Sequence, residues 1–166
     1  LAARALATGR TVAAAAAVLF AASPSFWGEA NVQRVYALNA FFVALATLLA
    51  FRWSSAVSED KGVHRREGRF VGIALVCGIG AANHTFLAVW GALFLLFALL
   101  RDPGLVRSWR TLVAAAGAAL AGLSFYGLLL FRSRQEPRLD WGNPESPAAL
   151  WAVVTRRDFW PRRWLS

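Results

Sequence analysis

The sequence predicts an all-α protein, a polytopic bundle of transmembrane helices, and three observations carry that prediction. The 166-residue chain is 58% hydrophobic and only 16% charged, against roughly 25% charged in an ordinary globular domain. Its mean hydropathy is +0.47. Its apolar residues fall in blocks of helix-spanning length, and its charges lie almost wholly between them. Lys and Arg number 18 against 9 Asp and Glu, and every basic residue except Lys61 is arginine. A nucleic-acid binder can be this basic, but it does not confine its charges to the gaps between membrane-length blocks.

The first block, Thr11 to Ser23, is too short to cross a bilayer alone at about 1.5 Å per residue. It reads as the end of a span, a helix near residues 5–22. The second, Val35 to Trp53, is long enough to cross and carries Tyr36 and Trp53 at its ends as expected interfacial anchors. The third, Phe70 to Leu100, would be about 46 Å long as one helix, beyond a hydrocarbon core of about 30 Å. Asn83 and His84 stand near its middle, preceded by Gly78 and Gly80. Length and polarity therefore predict two short helices, near 70–82 and 85–100, joined by a tight polar turn. One long tilted helix is the alternative. In the turn, Asn83 is expected to cap freed backbone groups and His84 to have no backbone duty. The fourth block, near 111–131, shows Gly117, Ala118, Ala121 and Gly122 as a small-residue face for close helix packing.

The expected organisation is a membrane region over residues 1–131, with four to five helices, followed by an aromatic and basic segment over 132–166. The loop Arg52 to Arg69 holds five basic residues and is expected to be cytoplasmic. The hairpin then places the turn at Asn83 and the segment after Arg132 on the outer face; the long-helix alternative reverses the latter. The chain starts at Leu1 and contains no methionine, which reads as a fragment of a longer polypeptide. Cys77 has no partner, so no disulfide and no cysteine-based zinc site is expected. No Walker loop, dinucleotide fingerprint, zinc-protease helix or serine elbow is found.

Taken singly, the polar clusters are ordinary interface and turn chemistry. Taken in order, the strings "SPSFW", "VYALNAFFVAL", "NHTFLAVWGALFLLFALL" and "LDWGNPES" resemble successive motifs of a bacterial membrane family related to protein O-mannosyltransferases. The resemblance runs from about Ala15 to Trp160. Ser23, Pro24, Phe26 and Trp27 match its first motif; Val35, Tyr36, Leu38 and Asn39 its second; Asn83 and His84 its third; Trp141, Gly142, Asn143 and Pro144 its fourth. Two departures stand out. Arg34 occupies a position where the family usually has glutamate, and the family's acidic motif near its N-terminus is absent from this sequence.

The resemblance implies a GT-C type glycosyltransferase in the bacterial inner membrane. Such an enzyme takes a mannose-like sugar from a polyprenyl-phosphate donor and attaches it to a hydroxyl of a protein or glycan acceptor outside the cytoplasm. Its partners are membrane lipid, the lipid-linked sugar and the acceptor, with no nucleic acid, no metal and no cofactor besides that donor. The implied substrate-binding residues are Arg34, Tyr36, Asn39, Asn83, His84, Asp140, Trp141 and Asn143, while the catalytic aspartate is expected upstream of this sequence. Arginine suits a lipid phosphate because its planar fork keeps its charge; Arg34, Arg156 and Arg157 are the candidates. Asp140 and Glu29 are the acids beside these clusters, and each has a bland alternative as turn former or helix-start acid. A non-catalytic transporter subunit or scaffold is the competing reading; the chain shows no internal repeat of the kind transporters have.

Overall fold

The computed structural model describes residues 9–31, 36–59, 62–138, 140 and 142–157. Among these every regular element is helical and there is no strand. The chain divides into two compact units between Gly122 and Leu123.

The first unit opens with α1 (Arg10–Ala21) and α2 (Pro24–Asn31), bent by 54° at the break between them. The break follows from "SP". A residue before proline is driven out of the helical region, and proline is tolerated at the first helical position because no N–H is needed there. Ser23 completes the cap, its Oγ accepting the Phe26 N–H at 3.3 Å. Phe20 and Phe26 meet across the bend with ring centroids 4.7 Å apart. The motif "SPSFW" is thus a helix start, whatever else it does.

Helix α3 (Tyr36–Ser58) runs 23 residues, past the expected end at Trp53. Nothing in "RWSSAVS" stops a helix, and the expected anchor Trp53 is a core residue, 1% exposed. Its indole packs on Phe70, Phe94 and Phe97, at centroid distances of 6.2, 5.6 and 6.4 Å. Tyr36, at the other end, is exposed as an anchor should be. Helix α4 (Val63–Asn83) starts seven residues before the expected position, so most of the basic stretch read as loop is helix. The charged turns remain on the outside of the bundle end, where a helical backbone satisfies itself and side chains reach water.

Helix α5 (Phe86–Arg101) returns antiparallel to α4, which makes Phe70 to Leu100 a hairpin. Three pairs establish the direction, the second number falling as the first rises: Arg66 with Asp102, Cys77 with Gly91, and Gly80 with Leu87. Helices α3 and α4 are likewise antiparallel, through Trp53 with Phe70, Arg52 with Arg69, and Phe42 with Gly80. A 3₁₀ turn (Pro103–Arg107) leads to α6 (Trp109–Leu123). That helix runs parallel to α4, with Glu67 bonded to Thr111 at one end and Gly78 against Ala119 further along.

The α4–α6 contact is a backbone approach. A Cβ on Gly78 would lie 2.2 Å from the Ala119 carbonyl oxygen, and one on Gly122 would lie 2.5 Å from the Ile79 nitrogen. The small-residue face of α6 is therefore Thr111, Ala115, Ala119 and Gly122. Gly117 faces open space and Ala121 is exposed, so the expected face is corrected by about a quarter turn. A count of small residues does not reveal which side of the helix meets a neighbour.

By length and composition two runs, Tyr36–Ser58 and Trp109–Ser133, can cross a membrane, or three if α1 and α2 form one bent span. Helix α4 spends its first turns on charged residues, and α5, at 16 residues, spans only about 24 Å.

The second unit contains a 3₁₀ turn (Ser124–Tyr126), α7 (Gly127–Ser133) and α8 (Pro147–Val154). Helix α8 repeats the "SP" start: the Ser146 Oγ accepts the Ala149 N–H at 3.2 Å, with Pro147 at the first helical position.

Candidate functional site

At the tip of the α4–α5 hairpin, α4 ends on Asn83 and the chain turns through His84 and Thr85. His84 is extended, with φ −155° and ψ 130°, and its own N–H donates to the Gly80 carbonyl at 2.8 Å. Its ring does what Asn83 was expected to do. The Nδ1 atom accepts the Phe86 N–H at 3.2 Å, satisfying one of the backbone donors that the first turn of α5 leaves unpaired. The expectation that His84 has no backbone duty is therefore wrong. A β-region residue directly before the helix can aim its ring nitrogen back at that helix, an option that residue identity alone does not disclose.

The cap has a chemical consequence. With Nδ1 accepting, the ring proton sits on Nε2, so neutral His84 presents a hydrogen-bond donor on the side away from the cap. Tyr36 lies on that tip, its ring centroid 6.0 Å from the imidazole and the planes inclined at 57°. The register set by Phe42 with Gly80 and Trp53 with Phe70 puts Asn39 level with Asn83. Asn39 is half-buried, and its Oδ1 is buried without a hydrogen-bond partner. An unsatisfied buried acceptor is costly, about 1–3 kcal/mol. Tyr36, Asn39, Asn83 and His84 thus converge at one end of the bundle, next to the N-terminus of α5. Arg34 and Trp141 lie outside the described residues.

Asp140 and Asn143 are placed in the second unit. Asp140 Oδ2 accepts from the buried Ser133 Oγ at 2.5 Å. With its amide nitrogen turned toward the carboxylate, Asn143 donates to Asp140 Oδ2 at 2.9 Å and to Glu145 Oε1 at 3.2 Å. Asn143 holds φ 42° and Gly142 φ 75°, left-handed conformations that Asn and Gly tolerate best. Pro144 is fully buried, and Arg134 Nε donates to the Glu145 carbonyl at 3.1 Å. The geometry of "GNPES" is that of a tied turn, and Asp140 is engaged in holding it. Ser133, its buried partner, carried no signal in the sequence, because the contact exists only after the chain doubles back.

At the opposite end of the hairpin from His84, Glu67 Oε1 accepts from Thr111 Oγ1 at 2.6 Å and from Ser108 Oγ at 2.7 Å. These two hydroxyl bonds, Thr111 first, hold the carboxyl below its ordinary value; His64 and Arg66 add to the effect, and partial burial opposes it. Arg66 pairs with Asp102 at 3.5 Å. A cavity of about 200 Å³ opens here between Trp53, Val63, Leu105 and this polar set. It lies at the end of the bundle away from His84. Among the described residues no group of three His, Cys, Asp or Glu could hold a metal ion.

The sequence matches the profile of the family described as "Protein O-mannosyl-transferase TMEM260 N-terminal domain" over residues 2–107, more than half of the chain. Comparison with curated proteins and with solved structures returns no match. The matched region contains α1 to α5 with the hairpin tip, so Tyr36, Asn39, Asn83 and His84 all fall within it. The chain, an all-α helical membrane protein, belongs to the protein O-mannosyl-transferase TMEM260 N-terminal domain family.

Proposed function

We propose that this chain is the part of a GT-C type membrane glycosyltransferase that receives a polyprenyl-phosphate-linked, mannose-like sugar for transfer to a hydroxyl of a protein or glycan acceptor. The observation that carries this reading is the tip of the hairpin, inside the region that matches a mannosyltransferase family. There the His84 ring lies near Tyr36, its Nδ1 is taken by the Phe86 N–H so that Nε2–H remains as a donor, and α5 begins two residues further on. Sugar transfer leaves a phosphate with growing negative charge, and fixed donors aimed at that charge favour its departure. A helix N-terminus adds a favourable field for the same anion. Arg34, two residues before Tyr36 in the sequence, is the proposed permanent cation.

On this reading the tip faces the non-cytoplasmic side of a bacterial inner membrane, and the arginine-rich end faces the cytoplasm. The acceptor hydroxyl must also lose a proton to a base. Asp140 is not assigned that role, since Ser133 and Asn143 already hold it. The test is a transfer assay: purified full-length protein, a polyprenyl-phosphate mannose labelled in the sugar, and a serine- and threonine-containing acceptor peptide. Label should move to the peptide. Failure to bind or turn over any polyprenyl-phosphate sugar would leave a non-catalytic membrane scaffold as the better account.

A further inference from the structure

The connection from α5 to α6, "RDPGLVRSWR", lies at the end of the bundle opposite His84 and takes no part in the proposed transfer. It is built as a rigid platform. Leu105 is buried at 5% exposure, the 3₁₀ turn Pro103–Arg107 holds its backbone, and Ser108 is tied to Glu67. Its single acid, Asp102, is engaged by Arg66. Among the described residues none of the three arginines is recorded in an ion pair. Arg101 donates to the uncharged Ser58 Oγ, Arg110 lies with its guanidinium carbon 5.7 Å from the Trp109 ring centroid, and Arg107 is exposed.

Directly beside these cations the surface turns apolar: Leu100 is 74% exposed, Trp109 65% and Val113 61%. Three arginines within ten residues, bordered by an apolar flank, match one kind of molecule, with a phosphate head and hydrocarbon tails. We infer that the Arg101–Arg110 connection is a binding site for an anionic phospholipid, its phosphate held by Arg101, Arg107 and Arg110 and its acyl chains lying along the exposed flank of α5 and α6. The position agrees with the membrane boundary, because α6 begins the apolar run Trp109–Ser133 at this point. Basic residues near a bilayer surface contribute roughly 1 kcal/mol each toward anionic lipid, whereas a headgroup without negative charge gains nothing from them.

The experiment uses full-length protein in a neutral detergent, titrated separately with phosphatidylglycerol and phosphatidylcholine, with bound lipid counted by native mass spectrometry. Phosphatidylglycerol should be retained in preference. The double variant Arg107→Gln with Arg110→Gln should weaken its retention about thirty-fold, the equivalent of two such contacts, while Arg107→Lys with Arg110→Lys keeps most of it. If the glutamine pair fails to fold, the preference of the unaltered protein must still fall as salt rises. Equal retention of the two lipids, a preference untouched by the glutamine pair, or displacement of the lipid by inorganic phosphate at equal concentration would each overturn the assignment. The last outcome would mark a site for free anion instead. None of these readouts depends on sugar transfer, so failure here and failure of the proposed activity are separable.

Discussion

His84 and Tyr36, 48 positions apart in the sequence, meet at the tip of the hairpin with ring centroids 6.0 Å apart, while Nδ1 of the same imidazole caps α5. The two ring nitrogens are therefore separable: Nδ1 holds the cap, and Nε2–H is the atom proposed to meet the sugar donor.

Substitutions at His84 should split those duties. Asparagine places a polar atom near Nδ1 and so can keep the cap, but it carries nothing at the position of Nε2. Glutamine reaches the Nε2 position and gives up the cap. We expect His84→Asn to keep its membrane abundance and lose about a hundredfold in turnover, the effect of one lost transition-state donor. His84→Gln should retain more turnover while losing about 1 kcal/mol of stability, and alanine should lose both. Turnover and abundance measured on the same membranes decide the matter; full activity in the asparagine variant would reduce His84 to a cap.

Topology can be read with single cysteines in a Cys77→Ala background. Thr85→Cys, at the exposed tip, should react with an impermeant thiol reagent applied from outside the cell, and Glu59→Cys, at the opposite end, should react only after the membrane is opened. The reverse pattern would invert the proposed sidedness while leaving the hairpin intact.

The glycine contact between α4 and α6 predicts opposite outcomes for similar substitutions. A methyl group on Gly78 meets the Ala119 backbone, which cannot swing away as a side chain can. Gly78→Ala should therefore cost about 1–3 kcal/mol, as overpacking does. Gly117→Ala enters open space in the same helix pair and should be neutral or stabilising by up to about 1 kcal/mol. Thermal unfolding in detergent would compare them. Equal losses at both positions would show that α6 does not pack on α4 through this face.

Glu67 gives a pH dependence. Its carboxyl is held below its ordinary value because Thr111 and Ser108 donate to the ionised form. The contribution is therefore fully present above the unfolded value and is lost as pH falls through the lower folded value. Unfolding temperature should drop on acidification below about pH 4.5 by more in the unaltered protein than in Glu67→Gln, whose amide does not titrate. Parallel curves for the two proteins would remove Glu67 from the linkage. The group is partly exposed, so the difference should be modest.

Much of the fold was legible because membrane helices are constrained by length. An apolar run of about 46 Å cannot cross a core of about 30 Å unbroken, and two polar residues at its centre mark where it turns. That is why the hairpin at Asn83 and His84 could be anticipated from residues alone. The helix starts at "SP" were not among the expectations, although Ser23 and Ser146 each cap a helix within three residues of themselves. Helix ends beyond the apolar blocks were less visible. Hydropathy marks what lipid accepts and not where helical hydrogen bonding stops, so α3 and α4 run on into polar sequence.

Composition, apolar block length and the order of short motifs were by themselves enough to determine an all-α membrane chain, the hairpin and the mannosyltransferase kinship. Tertiary structure alone decided which face of α6 meets α4, that Trp53 lies in the core and not at the interface, that His84 caps α5, and that Ser133 holds Asp140. The reason is physical. Block length and local capping depend on residues near in sequence, each answering to solvent or to its own backbone. The other four are contacts between residues on different helices or across a loop, or a ring orientation set by backbone angles, and they exist only once the helices have settled into register.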